Sequence, residues 1–251
     1  MTGFAPDYPD AEIRVSPNFG PRPDGVRPSI ILLHYTGMET GEGAEAWLCD
    51  PASEVSSHYL VHEDGRVVQM VREADRAWHA GRGSWQGVTD VNSHSIGIEI
   101  VNQGPLGGLP PFPDVQIEAV AALCRDIAGR HSIPADRVLA HSDTAPGRKV
   151  DPGPRFPWRR LHALGVGHIV AAGGESRHAP SACGDCGAHV ETLQSLLQLY
   201  GYGVEITGTY DDITRSAVEA FQLHFRQALV NGTADVETLG LLDALVRTTR
   251  A

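Results

Sequence analysis

The sequence lacks a positive field. Its 20 Lys and Arg residues stand against 31 Asp and Glu, for a formal net charge of −11. Such a chain gathers no phosphates, so no nucleic-acid partner is expected, and nothing favours an anionic membrane surface. Long apolar runs are missing as well. The longest, SIILLHY at 29–35, is strand-sized and far too short for a membrane span. The opening residues MTGFAPDYPDAEIRVSPNFGPRPDG hold no basic n-region, apolar h-region or lipidation cysteine. They read as carrying no export signal, which suits a cytoplasmic protein. Cysteine is scarce: Cys49, Cys124, Cys183 and Cys186 make no disulfide framework and fit a reducing compartment. No internal repeat and no low-complexity tract is visible.

What is present, 251 residues, suffices for one large domain or for one medium domain plus a small one. Residues 1–28, rich in Pro and Gly, read as an irregular N-terminal arm. Ser29–Tyr35 has the pattern of a strand buried on both faces. Gly41–Cys49 reads as a short helix. Ser57–Val71 reads as a hairpin folded at Glu63-Asp64-Gly65. His94–Asn102 is a further strand, with Ile96, Ile98 and Ile100 on one face and Ser95, Gly97, Glu99 and Val101 on the other. Asp114–Arg130 is an amphipathic helix that Asp114 can cap. A short strand at 137–140 and a helix at 157–164 close the unit. Strands interleaved with helices predict an α/β domain over 29–165, a mixed β-sheet flanked by helices. Small residues then dominate 166–187, the expected linker. Three helical patterns follow in 188–251, predicting a small three-helix α domain, its second helix capped by aspartate and turning Ile213 inward.

Two of the twelve histidines stand out by position. His34 ends a buried strand, where α/β sheets place functional groups. His141 follows a short strand and opens HSDTAPGRKVDPGPRFPW (141–158), whose prolines and glycines forbid regular structure and predict a loop. Asp151 lies ten residues on, across Pro146-Gly147. Two imidazoles and one carboxylate form the ligand set of a catalytic Zn2+ with a fourth position open, the chemistry of a hydrolase. Glu99 sits among isoleucines, where a carboxylate is costly unless it works or is paired. It reads either as a general base or as the partner of an arginine. Lys149 reads either as a group that holds a developing oxyanion or as a solvent-facing side chain.

Five ordered blocks carry a resemblance: ILLHYTG, SSHYLVHEDGRVVQMV, RAWHAGRGSWQG, NSHSIGIEIVN and HSDTAPGRKVDPGPRFPW. The chain resembles the zinc-dependent N-acetylmuramoyl-L-alanine amidases of the type 2 amidase family, relatives of peptidoglycan-recognition proteins, over about residues 28–165. The resemblance implies that His34, His141 and Asp151 hold Zn2+, that Glu99 is the catalytic carboxylate, and that Lys149 stabilises the transition state. It implies hydrolysis of the amide between N-acetylmuramic acid, or its anhydro form, and L-alanine of the stem peptide. Ser57 stands where phage and animal relatives carry a tyrosine, which implies the bacterial glutamate–lysine variant. Trp78, His79, Trp85 and Asn92 lie in blocks that border the substrate groove, although Trp78 and His79 equally fit packing roles. The alternative is a non-catalytic peptidoglycan-recognition protein, against which the complete ligand set counts.

The 188–251 region resembles the three-helix peptidoglycan-binding module, on VETLQSLLQLYGYG, TGTYDDITRSAVEAFQ and GTADVETLGLL. Peptidoglycan or muropeptides are the implied partners, and a polymer-binding module raises the periplasm or cell envelope as the alternative location. Cys183 and Cys186, with His178 and His189, read as a small zinc site, a local disulfide or two free thiols.

Overall fold

The apolar run at 30–35 becomes the axis of the fold. In a computed structural model of the chain, which describes residues 4–171, 176 and 178–249, the strands are β1 (Glu12–Ile13), β2 (Phe19–Pro21), β3 (Ile30–Tyr35), β4 (Tyr59–Val61), β5 (Val67–Gln69), β6 (Asp75–Ala77), β7 (Ser95–Ile100) and β8 (Val138–Ala140). The α-helices are α1 (Gly41–Leu48), α2 (Val91–His94), α3 (Asp114–His131), α4 (His141–Thr144), α5 (Trp158–Ala163), α6 (Ala188–Tyr200), α7 (Asp212–Phe225) and α8 (Val236–Thr249). Six strands form one sheet in the order β1-β5-β4-β7-β3-β8, and β2 pairs with β6 apart from it. Within the larger sheet only the β4–β5 hairpin is antiparallel. Ile30 to Leu33 are 0% exposed, as a strand covered on both faces requires.

Each flanking helix has a local cause. The Thr40 hydroxyl accepts from Gly43 N–H at 3.1 Å and starts α1, whose Leu48 packs on Leu60, Val68, Met70 and Val101. Helix α3 buries Ile117, Val120, Leu123 and Ile127. Its Gln116 amide donates to the carbonyls of Val61 (3.1 Å) and Val101 (2.8 Å), tying it across β4 and the end of β7. Pro113, not Asp114, is its N-cap, so no side chain closes that end.

Several expectations are corrected. The N-terminal arm is not wholly irregular: β1 adds an edge strand beside β5, and β2 pairs with β6. Its Arg22 guanidinium reaches inward to the carbonyls of Glu73, Asn92, Ser93 and Ser95 and to His58 Nε2. Such long-range pairing leaves no periodicity in so short a stretch. The 141–158 loop opens with one helical turn, α4, because its first proline comes only at position 146.

The chain divides into two compact units. The first comprises Met1–Gly81, Asp90–His141 and Asp151–Gly167; the second comprises Arg82–Thr89, Ser142–Val150 and His168–Ala251. A single linker at 166–187, of which residues 172–175 and 177 lie outside the described residues, does not capture this division. The short segments 82–89 and 142–150 belong with the helices because their large or charged side chains bury there. Trp85, 0% exposed, meets Tyr200 and Tyr202 edge-on at centroid distances of 5.7 and 5.0 Å. Asp143 accepts from the Tyr202 hydroxyl and pairs with His224 Nδ1, both at 2.7 Å.

The second unit also holds a repeat that the sequence hides. Gln194 of α6 accepts the N–H groups of Thr207 and Gly208 and donates to Thr209 O and the Thr214 hydroxyl. Gln222 of α7 accepts the N–H groups of Asn231 and Gly232 and donates to Thr233 O and the Thr238 hydroxyl. The loops TGTYDDIT (207–214) and NGTADVET (231–238) are two copies of one design, with Gly208 and Gly232 at φ +71° and +65°. Asp211 and Asp235 cap the helices that follow through Thr214 N–H and Thr238 N–H. Ile213, expected inward, is 65% exposed, because the Thr214 hydroxyl beside it takes the inward place.

One buried ionic cluster secures the first unit. The Glu73 carboxylate accepts from the Tyr59 hydroxyl (2.6 Å), from His131 Nε2 (2.6 Å) and from both terminal nitrogens of Arg130. Burial pushes this carboxyl up, but the bonds from Arg130, His131 and Tyr59 prevail and bring it from 4.5 to about 2. A carboxylate depressed that far contributes about 3 kcal/mol at neutral pH. That stability is fully present above pH 4.5 and is lost as the pH falls toward 2. Glu73→Gln is expected to lower unfolding free energy by about 3 kcal/mol at pH 7, with the deficit shrinking below pH 4.5. Urea unfolding of both proteins across a pH series checks it.

Candidate metal centre

Parallel pairing brings the candidate residues together. Strands β7, β3 and β8 run the same way, so their C-terminal ends share one edge of the sheet. His34 stands in register with Glu99 on β7, and Leu33 with Ala140, the residue before His141. Residues in register on parallel strands point to the same face. His34 and Glu99 therefore sit side by side on one face of the sheet.

Asp151 completes the group. Its Oδ2 lies 2.9 Å from His34 Nδ1 and 3.0 Å from His141 Nδ1, and the two Nδ1 atoms are 3.0 Å apart. The three side chains are buried and form the one such His/Cys/Asp/Glu cluster among the described residues. Cys183, Cys186, His178 and His189 form no comparable group there, and all four cysteines of the chain are free thiols.

The donor set fits a cation. His141 Nε2 lies 2.9 Å from Ala80 O, which only accepts, so that nitrogen carries the proton and Nδ1 presents a lone pair. This lone pair and the Asp151 carboxylate oxygen face one another across 3.0 Å. Two acceptors that close in a buried place repel unless positive charge stands between them. Two imidazole nitrogens and one carboxylate oxygen suit a borderline divalent metal.

The other candidates divide. Glu99 is partly exposed beside His34. The Tyr35 hydroxyl is pushed up by burial and then by the charges of Asp151 and Glu99, so both carboxylates act on one neighbourhood. Lys149 belongs to the 142–150 segment, and its N–H bonds to Ala145 O at 3.0 Å. Trp78 is partly exposed, its backbone tied to Ser56. Trp85 has no exposed surface and so cannot line a groove, a correction to its expected role. Asn92 is 7% exposed, and its carbonyl oxygen accepts the N–H groups of His79 (3.0 Å) and Ala80 (2.8 Å). It braces the backbone that holds His141. His79 meets His34 edge-on, and desolvation, followed by the neighbouring imidazoles, lowers it well below the ordinary histidine value.

Sequence reasoning missed Ala80, Ser95 and Gly97. A backbone carbonyl, a small hydroxyl and a glycine advertise nothing in one dimension. Gly97 matters because a Cβ there would stand 2.6 Å from the His79 ring.

Comparison with known proteins finds relatives for both parts of the chain. Residues 24–154 match the family model described as N-acetylmuramoyl-L-alanine amidase, and 186–242 match that of a putative peptidoglycan binding domain. The chain is 38% identical over 239 residues to the N-acetylmuramoyl-L-alanine amidase AmiD of Escherichia coli (strain K12), covering 88% of this chain and 83% of that one. It is 35% identical over 172 residues to the 1,6-anhydro-N-acetylmuramyl-L-alanine amidase AmpD of Enterobacter cloacae, covering 62% and 90%. The structure of E. coli AmiD with anhydro-N-acetylmuramic acid-L-Ala-D-gamma-Glu-L-Lys superposes with a TM-score of 0.74 at 36% identity, covering 90% of this chain and 92% of that one. AmpDh3 from Pseudomonas aeruginosa gives 0.73 at 29% identity, covering 100% of both chains.

Asp151→Ala is expected to abolish stoichiometric metal, and Gly97→Ala to weaken it about tenfold by displacing His79. Metal content of dialysed protein, read by mass spectrometry, checks both.

Proposed function

This chain belongs to the N-acetylmuramoyl-L-alanine amidase family, and on that premise we propose how its own residues cut the amide between N-acetylmuramic acid, or its anhydro form, and L-alanine. The convergence of His34, His141 and Asp151 within 3.0 Å at the sheet edge carries the reading. These three hold Zn2+, which when bound supplies Lewis-acid polarisation to the scissile carbonyl and the attacking water. Glu99, beside His34 on the same sheet face, takes the proton from that water as it attacks the lactyl carbonyl. Lys149 holds the negative charge that develops on the carbonyl oxygen. Glu99 then returns the proton to the departing L-alanine amine, so the amide bond breaks and a carboxylate and an amine result. His141, held through Ala80 O, stays fixed throughout.

The helical unit, matched by a peptidoglycan-binding model, keeps the enzyme near its polymer and raises effective substrate concentration. Among the described residues, no helix is long and apolar enough to cross a membrane. The compartment we assign is the cytoplasm, with recycling of soluble anhydro-muropeptides as the task, because the opening residues carry no recognisable export signal.

Glu99→Ala is expected to keep bound metal yet lose about 100-fold or more of kcat on an anhydro-muropeptide, and Lys149→Met to lose a similar factor with KM little changed. Release of free stem peptide, followed by chromatography with and without chelator, checks this. Wild-type turnover by Glu99→Ala would remove it as the base. Faster cleavage of intact sacculi than of anhydro-muropeptides would instead favour an envelope role.

A further inference from the structure

His79 faces the metal centre, and its hydrogen bonds run in one direction. The Ser95 hydroxyl lies 2.6 Å from Val91 O. A carbonyl only accepts, so Ser95 spends its one proton there. What Ser95 Oγ turns toward His79 Nε2, at 3.3 Å, is a lone pair. His79 therefore carries its proton on Nε2, and its Nδ1 is an acceptor. That Nδ1 lies 3.0 Å from His34 Nε2. His34 must then donate from Nε2, which leaves the Nδ1 lone pair aimed at Asp151 Oδ2 and His141 Nδ1. The opposite order would set the His79 Nε2 lone pair against the Ser95 lone pair and lose a bond.

The surroundings fix this order in space. Asn92 Oδ1 accepts the N–H of His79 at 3.0 Å and sets where its backbone runs. Gly97 leaves the room in which the ring lies, since a Cβ would stand 2.6 Å from it. The rings of His79 and His34 then meet edge-on, with centroids 5.1 Å apart.

We propose that Ser95 and His79 form a positioning relay that selects the metal-binding tautomer of His34, and that His79 is not a substrate-contact residue. The inference rests on the metal-centre reading above. His79 works as an acceptor behind a ligand: it orients the His34 ring and increases electron density at Nδ1. Ser95 works one step further out, by denying His79 any other tautomer. The other ligand histidine is set more simply, by the carbonyl of Ala80.

The test measures Zn2+ affinity of the full chain by competition with a chromophoric chelator, beside 15N spectra of the imidazoles in the metal-free protein. His79→Leu, which removes the acceptor, is expected to weaken Zn2+ binding by about 10–100-fold. His79→Asn places an amide oxygen near the Nδ1 position and is expected to restore most of that loss. Ser95→Ala is expected to weaken Zn2+ binding severalfold and to convert His34 from one Nε2–H tautomer to a mixture, with KM for an anhydro-muropeptide unchanged. Wild-type Zn2+ affinity in His79→Leu, with a raised KM, would overturn the relay and return His79 to the substrate groove. If His79→Leu does not fold, Ser95→Ala decides alone: unchanged affinity and an unchanged His34 tautomer would overturn it. A wild-type chain that binds no Zn2+ would overturn the centre itself and the relay with it, an outcome distinct from the others.

Discussion

Three acceptor atoms, His34 Nδ1, His141 Nδ1 and Asp151 Oδ2, stand within 3.0 Å of one another at one edge of a buried sheet. Left to themselves, a lone pair and a carboxylate so close would repel, and burial denies them water. The arrangement makes sense around a cation, and much of the first unit serves to maintain it. Parallel β7, β3 and β8 bring Glu99, His34 and the residue before His141 to a common edge. Short contacts then fix each ring: Ala80 O behind His141, His79 behind His34, Asn92 beneath both backbones. Glu99 gains its neighbourhood from the same ladder.

The second unit solves another problem with other means. Three helices of 13 or 14 residues bury a modest core, and two glutamines do in it what a sheet does elsewhere. Gln194 and Gln222 each satisfy the backbone of a loop that leads into the next helix cap. Asp143 and Trp85 are drawn into this unit from segments distant in sequence. Asp143 is the buried carboxylate that holds the 142–150 segment to Tyr202 and His224.

The strands and helices of the first unit were largely legible. Alternation located β7, the Asp-Gly turn located the β4–β5 hairpin, and an unbroken apolar run located β3. These features announce themselves because burial acts on neighbouring residues with a fixed period. Elements of two or three residues such as β1, β2 and β6 were invisible, since they exist by virtue of partners far along the chain. The repeat in the helical unit escaped notice for a related reason. The two loops share Gly, Thr, Asp and Thr over only eight residues, and the glutamine that each one bonds lies 14 residues before the glycine in one copy and 10 in the other.

Residue chemistry alone, read with the family resemblance, determined the candidates: two histidines and an aspartate for a metal, a glutamate for the proton, a lysine for the oxyanion. That much is inscribed in side-chain type and order. The tertiary structure decided what each neighbour does. It turned Asn92 into a brace, sealed Trp85 inside the second unit, and set His79 behind a ligand with Ser95 behind it. The difference is physical. A side chain carries its charge and its lone pairs wherever the chain goes, whereas the direction of a hydrogen bond exists only once donor and acceptor have been brought within about 3 Å.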